Sequence, residues 1–287
     1  MPNSIHADTK LGYVHLTVSD LKKSLAFYQD VLGFKIHSHA ARGGTARLGA
    51  GEQDLLLLTE NPGARLMAHA TGLYHFAILV PSRFHLAQSL RRIADTETPV
   101  QGFADHLVSE AIYLADIDGN GIEIYRDRPR AEWHDARGNL RMGSDPLDTR
   151  SVLGELNGRD EKWNGLGAGT VLGHMHLQIA NVGRDEAFYR DVLGFDVMMN
   201  MGSASFVSAG GYHHHVGMNI WNSAGAPPPS PDAVGLRYFT VELPDHNELG
   251  RVIDRVRGAG VAVEETGPGL LVRDPSSNGV VLSAQPR

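Results

Sequence analysis

Short apolar runs and amphipathic stretches alternate along the chain, and the alternation repeats. Leu11-Gly12-Tyr13-Val14-His15-Leu16 predicts a short strand. After a loop, Leu25, Tyr28 and Leu32 fall on one face of a predicted helix that stops at Gly33. The same text returns as Leu172-Gly173-His174-Met175-His176-Leu177 and as Phe188-Tyr189-Arg190-Asp191-Val192-Leu193-Gly194-Phe195. The offset is the same for both blocks, 176 − 15 = 161 and 188 − 27 = 161. A weaker echo links Leu73-Tyr74-His75-Phe76 and Pro81 to Leu236-Arg237-Tyr238-Phe239 and Pro244, with 244 − 81 = 163. Each is followed by a helical pattern, His85 to Ala94 or His246 to Gly258. A strand pair closed by a turn comes next, at Asp118-Gly119-Asn120-Gly121 or Pro275-Ser276-Ser277-Asn278-Gly279. The pattern predicts an α+β protein of four modules, each a strand, a helix and three strands. Residues 1–128 and 170–287 then form two domains, and 129–169, rich in Gly, Asp and Arg without sustained periodicity, forms the linker. Pro227-Pro228-Pro229 marks a smaller break.

The length of 287 residues fits two domains. A composition of 42% hydrophobic and 21% charged residues is that of a globular protein. With a formal charge of −7 the chain offers no basic field for nucleic acid or anionic lipid, and neither partner is expected. The polar start, Met1 to Lys10, and the lack of a long apolar run predict a cytoplasmic protein. It has no cysteine, so a metal would have to sit on His, Asp or Glu, and 15 histidines supply candidates.

The paired blocks ending in Val-Leu-Gly-Phe resemble the vicinal oxygen chelate superfamily, and within it the two-domain catechol 2,3-dioxygenase type of extradiol enzyme. The resemblance runs from about Leu11 to Ser283. It implies four βαβββ modules paired into two glyoxalase/extradiol-dioxygenase-like domains with cup-shaped sheets. It also implies a metal held by a histidine on the first strand of each of two modules and a glutamate on the last strand of one. Those slots hold His15, His75, His176 and Tyr238 on the first strands, and Glu123 and Val281 on the last strands of modules two and four. Module four lacks both donor types, so module two is expected to form half of the site, partnered through His15 or His176.

Module two carries His106 and the run Ile112-Tyr113-Leu114-Ala115-Asp116-Ile117-Asp118-Gly119-Asn120-Gly121-Ile122-Glu123. It is similar to the extradiol signature, departing from it at Ile117, where proline is usual, and at Ala104. The match implies Glu123 as ligand, Tyr113 as a hydrogen-bond donor near the metal and His106 as a pocket residue. Module three has Tyr212-His213-His214-His215 where the family places its acid/base histidine, and module one has Gln53-Asp54 there. Pairing modules two and three therefore gives a complete set: His75, His176 and Glu123 as ligands, with His214, Tyr113 and His106 as catalytic residues. Strand parity leaves His214, or His213 and His215 together, facing inward.

Two imidazoles and a carboxylate on one face of Fe(II), with Mn(II) as the other candidate, leave positions for a small aromatic diol and O2. An imidazole titrating near neutrality suits the proton transfers. Each residue also has a plainer reading. His75 taken singly is an ordinary half-buried histidine, Glu123 a strand residue paired with an arginine, and the histidine run a solvated turn; their slots in the repeat favour the site. The expected activity is extradiol cleavage of a small catechol by a homo-oligomer. The alternatives are a glyoxalase-like isomerase or transferase, and a non-catalytic protein that sequesters aromatic ligands or drugs.

Overall fold

The computed structural model describes residues 4–40, 44–159 and 161–285. Its elements follow the module order. Module one comprises β1 (Lys10–Val18), α1 (Leu21–Ala26), β2 (Lys35–His39), β3 (Thr45–Ala50) and β4 (Gln53–Glu60). Module two comprises β5 (Gly72–Leu79), α2 (Arg83–Asp95), β6 (Val100–Asp105), β7 (Ser109–Ala115) and β8 (Gly121–Asp127). A short α3 (Thr149–Gly154) precedes module three, β9 (Val171–Gln178), α4 (Val182–Ala187), β10 (Asp196–Asn200), β11 (Ala204–Ser208) and β12 (Val216–Asn219). Module four is β13 (Gly235–Leu243), α5 (His246–Gly258), β14 (Glu264–Thr266), β15 (Gly269–Arg273) and β16 (Gly279–Ala284).

The strands form two eight-stranded sheets, ordered β14-β15-β16-β13-β1-β4-β3-β2 and β10-β11-β12-β9-β5-β8-β7-β6. Hydrogen bonding thus joins modules one and four in one sheet and modules two and three in the other. Packing divides the chain into two compact units, Met1–Thr17 with Ala64–Tyr74 and Gly173–Arg287, and Val18–Gly63 with His75–Leu172.

Three of the four module helices start at a side chain that accepts from a free N–H group of the first turn. Asp20 accepts from Lys23 N, Asn181 from Arg184 N and Asp245 from Glu248 N; at the fourth cap, Ser82 Oγ pairs with His85 Nδ1 at 2.8 Å. The predicted inward face of the first helix is observed, with Leu25, Tyr28 and Leu32 buried. After Ala26 the helix widens into a π turn over Phe27–Val31, as it does over Phe188–Leu193 after Ala187. Both turns end at a glycine with positive φ, Gly33 at 82° and Gly194 at 92°. In that left-handed conformation the next N–H turns back to the helix, Phe34 N to Tyr28 O and Phe195 N to Tyr189 O.

The two buried tyrosines fix their neighbouring hairpins. Tyr28 Oη donates to Asp116 at 2.8 Å and Tyr189 Oη to Asp274 at 3.1 Å. Asp116 also accepts from the backbone N–H groups of Asp118 and Asn120, and Asp274 from those of Ser276 and Asn278. The stretch expected as linker holds a third such turn, in which Asp135 accepts from Arg137 N and Asn139 N. That stretch is folded: Trp133 is buried, with its indole N–H on the Arg128 carbonyl at 2.8 Å, and Val152 of α3 is buried too. Single anchors of this kind leave no periodic trace in a sequence.

Candidate metal centre

In module two, β5 and β8 run parallel with Phe76 opposite Ile122 and Ala77 opposite Glu123. β7 lies antiparallel on the other side of β8, with Tyr113 opposite Glu123. Ala77, Glu123 and Tyr113 therefore form one row across three strands, and His75, two residues before Ala77, shares their face. The small side chain of Ala77 leaves room above Glu123. His75 Nε2 lies 3.0 Å from Glu123 Oε2, and the side chains are only 7% and 2% exposed. A carboxylate so buried needs a compensating positive charge.

Tyr113 stands beside this pair, its ring 5.6 Å from that of His75. Its hydroxyl lies 2.6 Å from His106 Nε2, and His106 Nδ1 lies 2.7 Å from the Gly143 carbonyl. A carbonyl only accepts, so Nδ1 bears the proton and a neutral His106 accepts the Tyr113 hydroxyl proton at Nε2. The folded segment after β8 thus sets the tautomer of a side chain in module two.

In module three the rings cluster around β9. His174 packs against His214 with centroids 4.1 Å apart and lies 6.1 Å from His213. His213 Nδ1 and His214 Nδ1 are 3.0 Å apart, and both residues are buried. His215 points elsewhere: its Nδ1 meets Ser208 Oγ at 2.9 Å and accepts from Ala209 N at 3.2 Å, and its ring packs near Phe195. Neither parity expectation is met as stated, because His213 and His214 both turn toward His174. The residues Tyr212–His215 lie outside the strands, so alternation does not govern them.

His75, Glu123 and His174 each offer one ligand atom, and the three atoms lie within 4.8 Å of one another. The structure brings His174 into this group where the sequence reading had placed His176. His176 lies two residues on; its Nε2 is 3.1 Å from Asn219 Nδ2 and its ring packs against Tyr74, Phe206 and Trp221. The two assignments differ in register. His75 and Tyr238 each stand seven residues before a helix cap, 82 − 75 and 245 − 238. The same count from Asp20 and Asn181 gives Tyr13 and His174, not His15 and His176. Counting back from the cap therefore selects His174 from the sequence alone. His15 packs edge-on against Tyr238, centroids 4.8 Å apart, in module one.

Two imidazoles and a carboxylate, all nearly buried, match the donor set a divalent iron or manganese ion takes. Four βαβββ modules carrying this set define a protein of the glyoxalase-type fold with, among the described residues, one candidate mononuclear centre. The chain belongs to the Glyoxalase/Bleomycin resistance protein/Dioxygenase superfamily, whose model matches residues 10–124 and 171–280. It is 46% identical over 284 residues to the Catechol-2,3-dioxygenase of Bacillus subtilis (strain 168), covering 97% of this chain and 98% of that one. Among solved structures, a dioxygenase candidate from Bacillus subtilis superposes with a TM-score of 0.68 at 13% identity, over 99% of this chain and 87% of that one. Glyoxalase I from Zea mays superposes with a TM-score of 0.59 at 14% identity, over 96% and 92%. These two likenesses concern the fold. Among the described residues, no helix is long and apolar enough to cross a membrane.

Proposed function

We propose that the protein is an extradiol dioxygenase that opens a small catechol beside its two hydroxyls. In this reading His75, Glu123 and His174 hold Fe(II), with Mn(II) as the other candidate. The observation that carries it is the convergence of these three buried donors within 4.8 Å, on a chain 46% identical to a catechol-2,3-dioxygenase. When bound, the metal supplies open positions on which both diol oxygens and O2 are held together, which gives proximity and orientation.

The chain's own residues then handle protons and water. Glu123 would supply the negative charge and His75 a neutral donor nitrogen toward the cation, with both side chains nearly buried and electrostatic contacts therefore strong. Tyr113 Oη donates a hydrogen bond to His106 Nε2, so its lone pairs remain to accept a proton from a substrate hydroxyl as its own proton passes on. His106 takes the displaced proton, an exchange suited to an imidazole near neutral pH. His214, against the ring of His174, is placed to take a second proton from the substrate and return it to the product. His213, 3.0 Å away, orients that ring. We place the enzyme in the cytoplasm as a homo-oligomer.

The test is anaerobic loading with Fe(II), followed by catechol and air. Oxygen uptake with formation of a yellow ring-opened semialdehyde supports the reading; no oxygen uptake with any catechol or hydroquinone defeats it.

A further inference from the structure

His176 leaves the same face of β9 as His174, about 7 Å farther along the strand. Its register partner on β12 is Gly217, and the register partner of Gly217 on β11 is Phe206. With only hydrogen at Gly217, the rings of Phe206 and His176 approach to 5.6 Å across it. A Cβ there would lie 3.2 Å from His176 Cγ. Asn219 accepts the Trp221 backbone N–H on its Oδ1 at 3.1 Å, so its amide donates to His176 Nε2. The imidazole is thereby held by a neutral partner in a ring-lined setting.

Tyr74, His176 and Trp221 form a triangle of rings, with centroids 5.0, 5.3 and 5.7 Å apart. At its inner corner His176 is 4% exposed, whereas Tyr74 is 38% and Trp221 52% exposed. Trp221 is steadied by its indole N–H, 3.4 Å from Ser203 Oγ. The triangle also connects inward, since Phe206 lies 5.1 Å from His214, which lies 4.1 Å from His174. A continuous path of rings thus starts at a candidate metal ligand and ends at two aromatic faces open to solvent. Rings left half in water at the end of such a path gain by covering a flat or bulky apolar group.

We propose that Tyr74, His176 and Trp221 are the subsite for a ring substituent. The favoured substrates are then catechols bearing an alkyl or aryl group at the ring edge remote from the two hydroxyls, in preference to catechol or to an acid-bearing ring. This rests on the dioxygenase reading above for the position of the diol, but the subsite has a readout of its own in binding.

The probes are catechol, 4-tert-butylcatechol and 3,4-dihydroxybenzoate, each titrated anaerobically into the Fe(II)-loaded protein by calorimetry and then assayed by oxygen uptake. Cover of the exposed Tyr74 and Trp221 rings by a few added methyl groups is expected to favour 4-tert-butylcatechol about tenfold or more over the others in both Kd and kcat/KM. Trp221→Ala should abolish the preference and Trp221→Phe should retain most of it. The side chain is half exposed, so circular dichroism should show both variants folded. Equal binding of catechol and 4-tert-butylcatechol, or a preference that survives Trp221→Ala, would overturn the subsite. If the binding preference holds and responds to Trp221→Ala while no catechol consumes oxygen, the dioxygenase reading fails and the subsite stands.

Discussion

Tyr113 Oη lies 2.6 Å from His106 Nε2, and His106 is held from its other nitrogen by the carbonyl of Gly143, 37 residues away along the chain. The contact fixes which way the hydroxyl proton points, so the pair acts as a two-step relay in the proposed reaction. Tyr113→Phe should lower kcat by roughly 100-fold, within the usual range for lost proton transfer, with a smaller change in KM. Steady-state oxygen uptake measures this, and an unchanged kcat would remove Tyr113 from the mechanism.

His174 and His176 differ by two positions and have different surroundings, which separates them experimentally. His174→Ala and Glu123→Gln should each lose at least about tenfold in retained metal, since even outer partners of metal ligands cost that much. His176→Ala should keep its metal. Metal content after anaerobic loading and desalting decides between them; the reverse result for the two histidines would restore the ligand set first read from the sequence.

Glu110 on β7 is a stability element rather than a site residue. Its carboxylate, 4% exposed, meets Arg83 at 2.8 Å and Arg126 at 2.6 Å, with Arg128 at 3.5 Å. Burial raises its carboxyl, but the bonds to Arg83 and Arg126 outweigh this and hold it below the usual glutamate range. Glu110→Gln should destabilise the fold by about 1–3 kcal/mol, because the charge-assisted bonds to Arg126 and Arg83 are lost, while Arg83 keeps Glu155 and Arg128 keeps Asp105. A depressed acid stabilises above its unfolded value of 4.5 and loses that contribution as pH falls through the folded value. Urea titrations at pH 7 and pH 3 should show the variant's deficit shrinking at the lower pH.

Asp274 has the opposite sign. Burial, then the nearby Asp185, raise its carboxyl to about 7 from 3.8. Its contribution is therefore complete below pH 3.8 and is lost as pH rises through about 7. Relative to Asp274→Asn, the wild type should be most favoured in urea at pH 4, with the advantage shrinking toward pH 8. A difference that grows over that range would refute the assignment.

Much of this was legible in the chain because local rules act on neighbouring residues. The repeat at an offset of 161 residues, the helix face of Leu25, Tyr28 and Leu32, and helix α5 at His246–Gly258 follow from periodicity and turn chemistry alone. That His75, Glu123 and Tyr113 share one sheet face also follows from strand alternation and the repeated slot. The segment 129–169 was read as a linker, because the burial of Trp133 and the Gly143 contact to His106 are lone long-range events without a period.

The ligand choice on β9 shows where sequence stops. His174 and His176 share a strand face, and both histidine and strand pattern are the same for either, so parity has nothing to choose between them. The count back to the helix cap separates the two, and their surroundings differ accordingly: Gly217 and Asn219 admit His176 to a bed of rings, while His174 packs against His214 and belongs to the donor group with His75 and Glu123. Donor chemistry was thus written in residue identity and repeat position. Which donors meet depended on strand register, since a shift of two residues keeps the face but moves a side chain about 7 Å, farther than a metal–ligand bond can reach.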